Sequence, residues 1–266
     1  MKIFFFLIIL LSFTSCSFLN RRGNWGKKAI WPLKSSNIWD AAKRNALSPH
    51  VWVPLAGAGT IHWSGWDHKI SNWANAGRGL YDDQTAADNW SDNFNNILKY
   101  EAYATTLLTP SMNDDGKFSG YLMNKAKGAL VVNAAGLTSS FGHERLVKAA
   151  HRRRPNRADY RSFPSGHSTD AAARNMVNSK NLDHIDMSDD LRLGIKSANT
   201  LMASGTLWAR LEGKRHFPSD VLCGYALGSF LSGFVYDALL NMEPNESFVV
   251  APAANGKMMA QYSLSF

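Results

Sequence analysis

Cysteine, charge and long apolar runs are all scarce in this sequence. Cys16 and Cys223 are the only cysteines in 266 residues, which excludes a disulfide-rich scaffold. Charged residues make up 19% and hydrophobic residues 45%, so we expect a globular core rather than a disordered chain. Beyond the first residues, only residues 221–240 approach the length of a membrane span, and they include Asp237. We therefore do not expect a polytopic membrane protein.

Acidic residues are outnumbered by basic ones, and the formal net charge is +8. This balance favours anionic partners such as phosphate esters, anionic lipid surfaces or nucleic acid. Part of the excess is concentrated in residues 145–161. The sequence has no aromatic RNA-binding signature and no zinc-finger spacing, so nucleic acid is not expected as a partner.

The first residues are typical of a short secretory signal, with Lys2 followed by an apolar run over residues 3–11. The stretch Phe13-Thr14-Ser15-Cys16 resembles the lipobox of bacterial lipoproteins. That resemblance implies cleavage before Cys16 and a diacylglycerol on its thiol; plain secretion is the alternative. We expect a signal peptide over residues 1–15, a tether over 16–35, and a cell-envelope protein that faces the periplasm or cell surface.

The body of the chain shows mostly helical spacing of its apolar residues from about Ile38 onward. We predict an all-α fold, a single helical bundle over residues 36–245. Two β-prone segments in residues 246–266 surround Asn255-Gly256, which is a hairpin signal. The tail is therefore expected to form a small hairpin.

Three segments carry the residues that phosphoryl transfer requires: 148–155, 162–168 and 210–220. Their arginines can bind phosphate oxygens in a bidentate manner. Ser165 and Gly166 stand at a predicted helix start, where backbone N–H groups bind anions. One histidine can attack phosphorus and another can protonate the leaving oxygen. Each of the three segments is weak evidence alone, but their combination indicates a phosphoryl-transfer site.

His216 and Asp220 are separated by one helical turn, and Pro218 is a typical first residue of a helix. The Asp220 carboxylate could then reach back to the imidazole, fix its tautomer and stabilise its charged form, as in a catalytic triad. The alternative is that Asp220 is only a helix-start residue favoured by the helix dipole.

The order of these motifs resembles the type 2 phosphatidic acid phosphatase (PAP2) superfamily, which includes bacterial acid phosphatases, lipid phosphatases and vanadium haloperoxidases. Its pattern is Lys-x6-Arg-Pro, then Pro-Ser-Gly-His, then Ser-Arg-x5-His-x3-Asp. The matching residues are Arg154-Pro155, Pro164 to His167, Arg210, His216 and Asp220. The resemblance covers roughly residues 50–240 and implies an α-helical bundle.

The resemblance implies a role for each matching residue. His216 would be the nucleophile, Asp220 its orienting partner and His167 the general acid. The phosphoryl oxygens would be held by Lys148, Arg154, Ser165, Gly166 and Arg210. The family needs no metal for hydrolysis, and no cofactor is expected.

Three functions follow as alternatives. The first is hydrolysis of phosphate monoesters or of lipid phosphates and diphosphates through a phospho-histidine. The second is a haloperoxidase in which the same residues hold vanadate and His216 coordinates vanadium. The third is a non-catalytic lipoprotein with a relic site. Partners under the first are a phosphorylated small molecule or lipid, and the membrane through Cys16.

Two positions depart from the family pattern. Ala209 replaces the family serine before Arg210, and Lys148 is one residue closer to Arg154 than in the family, where Val147 would be expected. On a continuous helix Lys148 would point away from Arg154. Either the helix loosens before Pro155 and lets the lysine reach the site, or Lys148 faces solvent and a neighbouring arginine, Arg152 or Arg153, supplies the charge.

Overall fold

The computed structural model describes residues 25–30, 35–76, 79–81, 83–111, 117–240, 246–252 and 258–264. The predicted signal peptide and the lipidation residue Cys16 lie outside the described residues. The expectation of an all-α bundle is confirmed. The helices of the described part are α1 (Ser35–Ala46), α2 (Pro49–Trp63), α3 (Trp66–Ala74), α4 (Gln84–Leu108), α5 (Phe118–Ala150), α6 (Gly166–Leu182), α7 (Asp189–Glu212) and α8 (Pro218–Leu240).

The chain continues after the bundle into two antiparallel strands, β1 (Glu246–Pro252) and β2 (Met258–Leu264). Their register pairs Glu246 with Leu264 and Pro252 with Met258.

The helix starts follow capping chemistry that is visible in the sequence. Asp83 accepts from the backbone N–H of Ala86 at the start of α4, and Ser188 accepts from Leu191 at the start of α7. Pro218 opens α8, where a missing N–H costs nothing.

Helix α8 is the centre of the bundle and packs against α1, α2, α5 and α6. Two glycines allow the closest of these approaches. A Cβ at Gly224 would lie 2.5 Å from the carbonyl oxygen of Ser165, and one at Gly228 would overlap that of Thr169. The start of α6 is therefore held directly against the start of α8, and both helices carry site residues.

Within the described ranges, α8 is the one helix that is long and apolar enough to cross a membrane, with a mean hydropathy of 1.3. Length and composition alone are weak evidence, and 61% of its apolar window is buried inside the bundle. This burial fits a core helix.

A core cluster lies at the far end of α8. Trp25 packs with Val131, Val132 and Tyr236, and its Nε1 donates to the Tyr236 hydroxyl at 2.9 Å. Along α8, Tyr236 is about 27 Å from Pro218 at 1.5 Å per residue. The cluster thus stabilises one end of the bundle, and the three motif segments meet at the other.

Candidate active site

A cavity of about 220 Å³ opens where the three motif segments meet. The loop after α5 contributes Arg154, the start of α6 contributes Gly166 and His167, and the last turn of α7 contributes Arg210. His216 comes from the short loop before α8. The remaining lining residues are His143 and Arg161. Five residues predicted from the sequence therefore share one cavity.

His216 is buried, with 2% of its surface exposed. Its Nδ1 lies 2.6 Å from the carbonyl oxygen of Ser162. Because a carbonyl can only accept, Nδ1 carries the proton and Nε2 keeps a free lone pair. Burial, reinforced by the charges of Arg210 and Arg154, holds the pKa of His216 well below its ordinary value. The ring is therefore neutral, with Nε2 available as a nucleophile.

Asp220 does not hydrogen-bond to the imidazole, and this corrects the expected direct pair. Its Oδ2 accepts from the Ser162 hydroxyl at 2.5 Å and from the Phe217 N–H at 2.9 Å. Its Oδ1 accepts from Nη1 of Arg152 at 2.6 Å. The carboxylate folds back on the first turn of its own helix, so Ser162 stands between it and His216. Ser162 thus contacts both the Asp220 carboxylate and the His216 ring.

His167 lies in the first turn of α6, and its Nε2 is 2.9 Å from Oδ1 of Asp92 on α4. The carboxylate accepts, so Nε2 carries a proton. Burial and then the charge of Arg210 lower the pKa of His167, and Asp92 opposes this shift. Protonated His167 is thus an acid whose pKa lies below its ordinary value and depends on Asp92.

Three guanidiniums line the cavity, and two of them, those of Arg210 and Arg154, each lie beside a carboxylate at one edge. Nη1 of Arg210 donates to Oδ1 of Asp88 at 2.8 Å, and Nε of Arg154 lies 2.8 Å from Oδ1 of Asp159. Burial lowers the pKa of Arg210 to about 10, so it remains charged at neutral pH. Its Nε is buried without a hydrogen-bond partner among the described residues. Such an orphan donor is satisfied when an anion binds.

Ser165 does not line the cavity, which corrects its expected phosphate contact. Its N–H donates to the carbonyl oxygen of Asp220 at 3.0 Å, and its hydroxyl caps α6 by accepting from Ser168. Gly166 does line the cavity, where a Cβ would lie 2.9 Å from the ring of His143. Gly166 therefore keeps the space open at the helix start.

Lys148 is exposed on the last turn of α5 and does not line the cavity, while Val147 is buried. The helix runs on to Ala150 and ends at His151, which adopts a left-handed conformation with φ 45°. Of the two alternatives for Lys148, the structure shows the solvent-facing one, which corrects its expected phosphate contact.

Neither Arg152 nor Arg153 takes the place of that lysine in the cavity. Arg161 and His143 are there instead. Nη2 of Arg161 donates to Oε1 of Glu144 at 2.5 Å. Burial lowers the pKa of His143, so its ring is mainly neutral at pH 7. Both residues lie outside the family motifs and were not singled out by sequence reasoning.

The family model of the PAP2 superfamily matches residues 116–242, and this part of the chain belongs to that superfamily. It contains α5 to α8 and all three motif segments. No curated protein and no solved structure matches the chain. The superfamily consists of phosphoesterases and haloperoxidases, and phosphoesterases are its general type. No group of three metal-ligating side chains occurs in the part of the chain that the structure describes.

Proposed function

We propose that this protein is a phosphoric ester hydrolase that works through a phospho-histidine at His216. The observation that carries the proposal is a neutral, buried imidazole whose Nε2 is unprotonated and which shares one cavity with three guanidiniums. Arg154 and Arg210 would bind the phosphoryl oxygens, and the N–H groups at the start of α6 would add a dipole of the right sign.

In the first step, Nε2 of His216 attacks phosphorus and the bond to the leaving oxygen breaks. Protonated His167 gives its proton to that oxygen, so the alcohol leaves neutral. The phospho-histidine ring is cationic, and its Nδ1–H stays on the carbonyl of Ser162. In the second step, His167 takes a proton from water, whose oxygen attacks phosphorus, and phosphate departs from His216.

The substrate class that we propose is a phosphate monoester, a lipid phosphate or a lipid diphosphate. A cavity lined by arginine and histidine side chains supports an anionic head group rather than an apolar one. Lipidation at Cys16, as proposed from the lipobox-like sequence, would hold the enzyme in the cell envelope near membrane substrates.

The test is turnover of p-nitrophenyl phosphate and phosphatidic acid in excess EDTA, with and without vanadate. We expect turnover that resists EDTA and is inhibited by vanadate. Activity that is lost in EDTA and restored by zinc or magnesium would contradict the mechanism. Vanadate-dependent oxidation of bromide by hydrogen peroxide, without phosphatase turnover, would favour the haloperoxidase.

A further inference from the structure

Arg152 stands two residues before Arg154 in the same loop, yet it makes its contacts behind His216 instead of in the cavity. Its Nη1 donates to Asp220 at 2.6 Å and to the hydroxyl of Ser219 at 2.9 Å. Its Nη2 donates to Oδ2 of Asp67 at 2.8 Å. The guanidinium also lies over the ring of Phe217, 4.5 Å from the centroid. One side chain thus joins two carboxylates and the segment that follows His216.

Asp67 comes from α3 and is 4% exposed. It accepts from the N–H of Ser219 at 3.0 Å and from the Ser219 hydroxyl at 2.7 Å, in addition to Arg152. Burial works against its charge, but the hydrogen bonds from Arg152 and Ser219 keep the pKa of Asp67 below its ordinary value. Asp67 is therefore a fixed anion that anchors the far side of Arg152.

Ser162 links this ion pair to the nucleophile. Its hydroxyl donates to Asp220, its carbonyl accepts from Nδ1 of His216, and its N–H donates to the carbonyl of Arg152 at 3.0 Å. The main chain of Arg152 therefore contacts Ser162 directly, and its side chain is linked to Ser162 through Asp220.

We propose that Arg152 and Asp67 are positioning residues, which hold His216 for attack through Asp220 and Ser162. The proposal rests on the nucleophilic role of His216 proposed above. Burial raises the pKa of Asp220 to about 6, and the charge of Arg152 is the largest influence against that rise. Without Arg152, Asp220 gains a proton more readily, and a neutral carboxyl is a weaker acceptor for the Ser162 hydroxyl.

The experiment compares Arg152→Met, Arg152→Lys and Asp67→Asn with the matched control Arg153→Met. Arg153 is exposed and contacts Tyr160 and the carbonyl of Arg157. We expect Arg152→Met and Asp67→Asn to lower kcat about 10- to 100-fold, the loss seen when a residue that orients a metal-ligating histidine is removed. KM should stay nearly constant, Arg152→Lys should recover part of the loss, and Arg153→Met should match wild type.

A second readout does not depend on turnover. The Nδ1-bound proton of His216, assigned by its absence in His216→Ala, should give a hydrogen-bonded NMR resonance in the wild-type chain. This proton should exchange faster with water in Asp67→Asn. Because Asp67→Asn preserves side-chain size, it keeps the test available if Arg152→Met does not fold. An unchanged resonance together with unchanged kcat would overturn the proposal, as would a loss confined to KM. If the phosphatase assays fail altogether, the resonance still decides whether Arg152 and Asp67 hold His216.

Discussion

Replacing Arg210 with alanine removes a buried guanidinium from the cavity, whereas replacing Lys148 removes an exposed ammonium that does not line it. Two hydrogen bonds from one edge of Arg210 to the phosphoryl group, at roughly 1.5–3 kcal/mol each, amount to about 3–6 kcal/mol. At about 1.4 kcal/mol for each factor of ten, kcat/KM should fall about 10²- to 10⁴-fold.

The fold should survive this change because Asp88 keeps a second partner. Arg215 donates to Oδ2 of Asp88 from Nη2 at 2.5 Å and from Nε at 3.0 Å. Lys148→Ala removes no group that lines the cavity, and solvent and salt screen the charge of the lysine. We therefore expect its kcat/KM to change by less than about threefold.

The assay is kcat/KM for p-nitrophenyl phosphate at fixed ionic strength, with Arg154→Ala as a second cavity variant and melting temperatures as the folding control. Arg154→Ala should resemble Arg210→Ala, and Lys148→Ala should resemble wild type. A Lys148 variant as inactive as the Arg210 variant would refute the reasoning, because it would mean that the lysine reaches bound phosphate.

Three further outcomes are expected. His216→Ala should lose turnover by about 10³-fold or more while remaining folded, and acid-labile phosphate trapped on wild type should be absent from it; label that persists would exclude this nucleophile. Asp92→Asn should move the alkaline limb of the rate profile to lower pH, because Asp92 raises the pKa of His167 and the acid form is lost sooner as pH rises. Its control is Asp190→Asn, which removes the same charge from an exposed position in the first turn of α7, about 30 Å along that helix from Arg210. Equal pH shifts in the two variants would contradict the proposed pairing of Asp92 with His167. Cys16→Ser should release the protein from membranes with unchanged kcat on a soluble ester, and retention after a high-salt wash would indicate another anchor.

The helical bundle could be predicted because apolar spacing and capping residues are local signals. The cavity residues Arg154, Gly166, His167, Arg210 and His216 could be predicted for a similar reason, since each belongs to a short motif. Their convergence depends on the close contact of α6 with α8, which small residues such as Gly224 and Gly228 permit.

The rest required the three-dimensional arrangement. Asp92 and Asp67 reach the site from α4 and α3, far upstream of the motifs, and no local pattern connects them to it. Ser165 and Asp220 lie behind the cavity. Their polar groups already make hydrogen bonds at the two helix starts, and the Ser165 N–H donates to the Asp220 carbonyl. The phosphate contact expected of Lys148 from the family resemblance was wrong, because a helix that continues to Ala150 turns that side chain to solvent.

The left-handed turn at His151 has a consequence for how this loop can evolve. It ends α5 immediately before three consecutive arginines, of which Arg152 faces Asp220, Arg153 faces solvent and Arg154 faces the cavity. Because the three side chains are chemically identical, only their count from His151 distinguishes them. Loss or gain of one residue here would leave the composition almost unchanged and yet exchange these positions. The loop should therefore tolerate substitution at Arg153 but not a change of length.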